Sequence, residues 1–162
     1  MDITPREEGR LKSAIERYQQ KIFALVLYLA GGNSNQAYDI TADSFAEAFL
    51  ADPSLAKEES LLANIAGIAI EKCRNTKIMP SSDDPVLIDL PPHKRSLLLI
   101  TKKSLQLLPI DDQLLLILRD QLHLPYKNIA AILHLAEGNI KIQISQVRVN
   151  LRDAIKGMLN NA

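Results

Sequence analysis

Tryptophan is absent from this 162-residue chain, and aromatic residues make up only 4% of it. Single-stranded nucleic acid is usually gripped by stacked aromatic rings, so that mode of binding has little to work with here. There is one cysteine, Cys73. That excludes an internal disulfide and fits a reducing compartment; Cys73 lies in an apolar segment and reads as packing rather than as a nucleophile. Neither sign of charge is in excess, with 19 Lys and Arg against 19 Asp and Glu. Phosphate contacts dominate nucleic-acid affinity, so the balance argues against a strong autonomous DNA binder while leaving room for a basic patch. No apolar run approaches the roughly 20 residues of a membrane span, and the opening MDITPREEGR has no apolar core of a secretion signal. We expect a cytoplasmic location and no membrane insertion. A Gly-rich phosphate loop, a nucleophile elbow and a zinc motif are also missing, and His93, His123 and His134 lack metal-ligand spacing. The chain is expected to be no enzyme and to need neither metal nor cofactor.

What the chain has is helical periodicity. Thr4, Pro5 and Glu7 form a helix-start signature, with Thr4 as N-cap, Pro5 in the first turn and Glu7 as capping-box partner. The helix is expected to reach Ala30, with Leu11, Ile15, Tyr18, Ile22, Leu25, Val26 and Leu29 as its apolar stripe, and to end at Gly31-Gly32-Asn33. A second helix is predicted from about Asn35 to Ala51, with Ile40, Phe45, Ala48 and Phe49 inward and a break at Asp52-Pro53-Ser54. A third runs from about Glu59 to Asn75; its apolar positions cover more than one face, which suggests the central helix of a bundle. From Lys77 to His93 proline, serine and aspartate concentrate, giving a linker in which Val86 to Leu90 could dock on a neighbour. Helices resume over Lys94–Leu107 and from Pro109 to about Leu122. We find no strand alternation. The fold class is therefore all-α: two small helical lobes, 1–76 and 95–162, joined by a linker over 77–94.

The stretch YKNIAAILHLAEGNIKIQISQVRVNLR, from Tyr126 to Arg152, holds two apolar-periodic segments with a short break. Ile129, Ile132 and Leu133 mark the first face, and Ile140, Ile144, Val147 and Leu151 the second. Two helices joined by a tight turn suggest a helix-turn-helix, whose second helix enters the DNA major groove. Leu108-Pro109 followed by the hydrophobic Gln113–Leu118, then Tyr126, Ile129, Ala130, Ile132, Leu133, and then Glu137, Gly138, Lys141, Ser145 and Arg148, resembles without a gap the C-terminal end of extracytoplasmic-function sigma factors of the sigma-70 family. Upstream, Ala37, Asp39, Asp43 and Phe45 match that family's polymerase-contacting helix more weakly, and Leu61, Ala69 and Arg74 match its following segment.

The resemblance implies a factor that directs core RNA polymerase to promoters, with core RNA polymerase, promoter DNA and an anti-sigma factor as partners. It implies DNA contacts from Lys127, Asn139, Lys141, Gln143, Gln146, Arg148 and Arg152, and polymerase or partner contacts from Tyr38, Asp39, Asp43 and Phe45. Asp39 and Asp43 lie four apart and read as a solvated acidic face or a partner contact rather than an acid–base pair. This chain also departs from the family. Ser60 stands at a tryptophan position, Ala63 and Ala66 at basic positions, and Gly67 at an asparagine. His134 replaces the turn glycine and Ala136 the serine N-cap, Gln143 and Gln146 replace arginines, and Ile142 replaces a serine. The glutamines could read adenine edges or be neutral surface residues. The departures leave a second reading open, a sigma-factor mimic that keeps the fold, binds an anti-sigma factor and does not read DNA.

Overall fold

Thr4 opens the first helix in the way its sequence requires. Its hydroxyl accepts from the Glu7 amide at 3.3 Å, and the Glu7 carboxylate takes the Thr4 amide at 2.8 Å and its hydroxyl at 2.7 Å, a closed capping box. These bonds hold the Glu7 carboxyl below its ordinary pKa, the hydroxyl contributing most. The computed structural model describes residues 4–51, 58–81 and 90–161. The expected break at Asp52-Pro53-Ser54 lies outside these residues, as does nearly all of the Val86–Leu90 segment. Among the described residues every regular element is helical. The chain divides into two units, 1–83 and 84–162.

The first unit packs three helices, α1 (Pro5–Leu29), α2 (Ser34–Ala51) and α3 (Glu58–Asn75). α1 ends in a Schellman turn: Gly31 donates to Tyr28 O at 3.2 Å and Gly32 to Leu27 O at 3.0 Å, with both glycines at positive φ, 59° and 84°. Asn33 then caps α2, its side-chain oxygen accepting from the Gln36 amide at 3.1 Å. α1 buries Ala14, Tyr18, Ile22, Leu25 and Val26. Leu11 and Ile15, expected in the core stripe, are half-exposed instead, and the small Ala14 takes the inward place. α3 contributes Leu61, Leu62, Ile65, Ala66, Ala69, Ile70 and Cys73 to the core. Ala66 is 0% exposed, so this position belongs to the interior and presents no face to a ligand. Burial pushes the Cys73 thiol up to about 11, so it stays protonated and inert, as its apolar setting suggests.

After α3 the chain folds back onto the α1–α2 turn. Gln36 receives the Met79 amide at 2.9 Å and donates to Lys77 O at 2.9 Å; Asn33 donates to Met79 O at 2.8 Å; Ser81 donates to Gly31 O at 3.0 Å. The 77–81 segment, read from its composition as the start of a linker, is thus fastened to the first unit by polar bonds that hydropathy does not reveal.

The second unit contains α4 (Pro92–Gln106), α5 (Ile110–Leu116), α6 (Tyr126–Leu133) and α7 (Glu137–Asn160). Leu114, Leu115, Leu116, Ile117 and Leu118 are all buried, surrounded by neighbouring helices. From Ile117 to Gln121 the helix widens to a π turn, with Leu122 N–H reaching back to Ile117 O at 3.1 Å. Leu122 and Leu124, just after the widening, are both buried in the core. Arg119 ties the following loop, donating to Leu124 O at 3.0 Å and lying 4.6 Å from the centroid of the Tyr126 ring at the start of α6.

Two outcomes follow for the first unit. A Cβ on Gly31 would sit 2.8 Å from the Pro80 Cβ in a left-handed conformation, so Gly31→Ala is expected to destabilise the unit by about 1–2 kcal/mol or more, measured by denaturant melting. Glu7 has a lowered folded pKa, so the stability it contributes is present above its ordinary value of 4.5 and is lost as pH falls through the folded value. The protection of amides at the α1 N-terminus, taken relative to their intrinsic exchange rate at each pH, is expected to fall as pH drops through the folded value, and Thr4→Ala is expected to flatten the response.

Candidate nucleic-acid interface

α6 and α7 form the helix-turn-helix. α6 buries Ile129, Ala130 and Leu133, while Ile132 is only half-buried. His134 closes it in the left-handed region, φ 56°, where glycine is the usual choice; its side chain is exposed, as its place in the turn suggests. α7 starts after Ala136, whose backbone is extended like an N-cap but which makes no side-chain capping bond. Ile140, Ile144 and Val147 are buried and Leu151 half-buried, so one face of α7 is committed to the core.

That commitment dictates what the opposite arc presents. Asn139, Ile142, Gln143 and Gln146 follow at spacings of three and four and share one stripe. Asn139 and Gln146 are exposed and Gln143 is partly buried. Ile142 is 69% exposed, the most exposed large apolar side chain on this helix. Lys141, Ser145, Arg148 and Arg152 follow the same rule along a second stripe, and all four are exposed. The residues expected on α7 are therefore sorted by the structure into two edges, one of amides and one of cations. Lys127 lies apart from both, exposed on the first turn of α6.

The cations are partly spoken for. Arg148 pairs with Asp120 of the π turn at 2.5 Å, and Arg152 with Asp153 at 3.5 Å. Both pairs are about half-exposed and worth ~0–1 kcal/mol each, so a phosphate can displace the acid at little cost. Asp120 lies 28 residues before Arg148, and nothing local in the sequence signals the pairing. On the amide edge Gln146 donates to Asn150 at 3.0 Å, which adds Asn150 to the residues picked out from sequence. Gln143 Oε1 is buried and has no hydrogen-bond partner among the described residues.

In the first unit Tyr38 is 70% exposed, and Asp39 and Asp43 are exposed one turn apart on α2. Phe45 lies inward, as the periodicity of α2 predicts, and is not the exposed contact that the resemblance implies. It is 4% exposed and belongs to the core, so it shapes the surface from beneath. Glu47 extends the acidic row and holds Lys72 of α3 at 2.6 Å; that bond, together with the charges of Glu47 and Asp43, raises the Lys72 pKa. Beside the row, Leu11, Ile15, Phe23, Tyr38, Phe45 and Ala46 line an open apolar groove of roughly 530 Å³ between α1 and α2. The side of α3 that faces solvent carries Ser60, Ala63, Asn64, Gly67 and Ile68, all without charge, and only its last turn adds Glu71 and the cation Arg74.

The missing cap at Ala136 yields a direct check on the helix-turn-helix. Ala136→Ser is expected to stabilise the second unit by about 1 kcal/mol, read from the shift of its denaturant midpoint, because the extended backbone for a capping hydroxyl is already in place.

Comparisons with known proteins agree with this geometry. Residues 98–151 match the sigma-70, region 4 family. A solved structure of the sigma factor RpoE in complex with the anti-sigma factor NepR from Bartonella quintana superposes with a TM-score of 0.66 at 20% identity, covering 90% of this chain and 96% of that one. A search of curated protein sequences finds no match. Over residues 98–151 the chain thus matches a sigma-70 region 4 domain, and its fold is similar to that of a solved sigma factor.

Proposed function

We propose that this protein is an RNA polymerase sigma factor of the extracytoplasmic-function type, recruiting core polymerase to promoters. The observation that carries the reading is the arc of α7, where exposed amides stand beside exposed cations opposite a buried apolar face. Phosphates suit Lys141, Arg148 and Arg152, with Lys127 adding a contact from α6; base edges suit Asn139, Gln143 and Gln146. In the first unit the acidic row Asp39, Asp43 and Glu47 beside an apolar groove suits a basic, amphipathic element of a protein partner, here assigned to core polymerase. Polymerase contacts supply most of the affinity, so a chain of zero net charge is sufficient. The location is cytoplasmic, where these partners are, and no helix among the described residues is long and apolar enough to cross a membrane.

A specific observation favours a second reading. From Ser60 to Ile68 the outer side of α3 offers neither positive charge nor aromatic surface to offset the few kcal/mol needed to extrude a promoter base. A mimic that occupies an anti-sigma factor needs none of these, and the solved neighbour is itself held by an anti-sigma protein.

Purified chain mixed with core RNA polymerase separates the two. The sigma-factor reading expects a stable complex, weakened about tenfold or more by Asp39→Lys with Asp43→Lys, and expects that complex to retain duplex DNA. It further expects Arg148→Ala and Arg152→Ala each to lower the slope of log affinity against log salt by about one. A chain that binds an anti-sigma factor but neither polymerase nor DNA establishes the mimic.

A further inference from the structure

We infer that α7 reads an A·T-containing element and that Ile142 is a specificity-determining residue, its side chain packing on a thymine methyl while neighbouring amides pair with adenine. The inference rests on the DNA-reading role proposed above and names the base chemistry of that site.

The argument starts from position. Ile142 lies in the second turn of α7, the part of a recognition helix that reaches base edges. A 69% exposed isoleucine there contributes nothing to the core, which Ile140, Ile144 and Val147 already fill from the other face. Its stripe-mates are Asn139, Gln143 and Gln146, and the stripe carries no charge.

Each base pair presents a distinct pattern in the major groove. Guanine is met best by Arg or Lys, and the cytosine amino group by Asp or Glu. Adenine is met by Asn or Gln pairing with N6 and N7, and the thymine methyl by an apolar contact. The cations of α7 lie on the other edge, and among its acids Glu137 and Asp153 stand off the central two turns of the stripe. What remains on the stripe is the adenine and thymine set.

Two details of the free domain agree. Gln143 Oε1 has no partner among the described residues, so swinging outward to accept from an adenine amino group supplies it with one. Gln146 is restrained by its bond to Asn150, so less side-chain freedom is lost on docking.

The test uses the full chain, alone and with core RNA polymerase, to enrich duplexes from a randomised DNA pool. The expected result is an enriched site containing A·T pairs, in which replacing one thymine by deoxyuridine, which removes only the methyl group, lowers affinity about 3- to 10-fold. Ile142→Ala is expected to bind the thymine and deoxyuridine duplexes equally, and Lys141→Ala to weaken both by the same factor while keeping their ratio. An enriched site without A·T pairs overturns the inference. So does indifference of the parent chain to deoxyuridine, or an unchanged thymine-to-deoxyuridine ratio in Ile142→Ala; all of these leave DNA reading standing. Failure to enrich any sequence under either condition removes the DNA reading itself and this inference with it, and leaves the stripe as a protein-binding surface.

Discussion

Burial of Ile140, Ile144 and Val147 decides what this molecule can do. Each is at most 3% exposed, and burying such a side chain contributes about 1.5–3 kcal/mol. No surface interaction on α7 approaches that scale, and its exposed ion pairs are worth a small fraction of it. The core therefore fixes the rotation of α7 about its own axis, and the rotation fixes which side chains leave the domain. The leucine-rich α5 and the π turn after it supply the wall against which α7 sets. That π turn carries Asp120, the partner of Arg148, and is followed by the buried Leu122 and Leu124.

Charge is distributed to the same end. The chain has no net charge, yet its two units present different surfaces. One offers acids beside an apolar groove and the other cations beside amides. A strongly cationic recognition helix would bind DNA everywhere, because counterion release is blind to sequence. Neutral amides with one apolar side chain contribute little to that general attraction and more to the distinction between bases.

Much of the fold was legible because its signals are local. Thr4, Pro5 and Glu7 announce α1 through bonds that span three residues. Gly31 and Gly32 announce its end because few other residues adopt positive φ. The apolar spacing of Ile140, Ile144 and Val147 shows which side of α7 is inward. What escaped has non-local causes. Leu11 and Ile15 fit the α1 periodicity, but among the described residues they are only half-covered at the groove between α1 and α2, and periodicity cannot report where a neighbouring helix stops. Periodicity places Phe45 inward and a contact motif places it outward, and the periodicity is right, because a motif match assigns a position without assigning a direction. Ala66 had the appearance of a lost cation until its burial showed an interior site. The Arg148–Asp120 pair and the fastening of Met79 and Ser81 join residues dozens of positions apart. At the interface the residue types were readable from the sequence, and their sorting into two edges followed only once the buried stripe was fixed.

The central claim is that the arc of α7 opposite its buried stripe faces DNA. A photocrosslinking amino acid placed at position 142 of the full chain, assembled with core RNA polymerase and promoter-bearing DNA and then irradiated, tests it most directly. The account predicts a crosslink to bases of the duplex, absent when the same group is placed at the inward-facing half-buried position 151. Crosslinking from position 142 to protein alone, with the duplex present and retained in the complex, would contradict it.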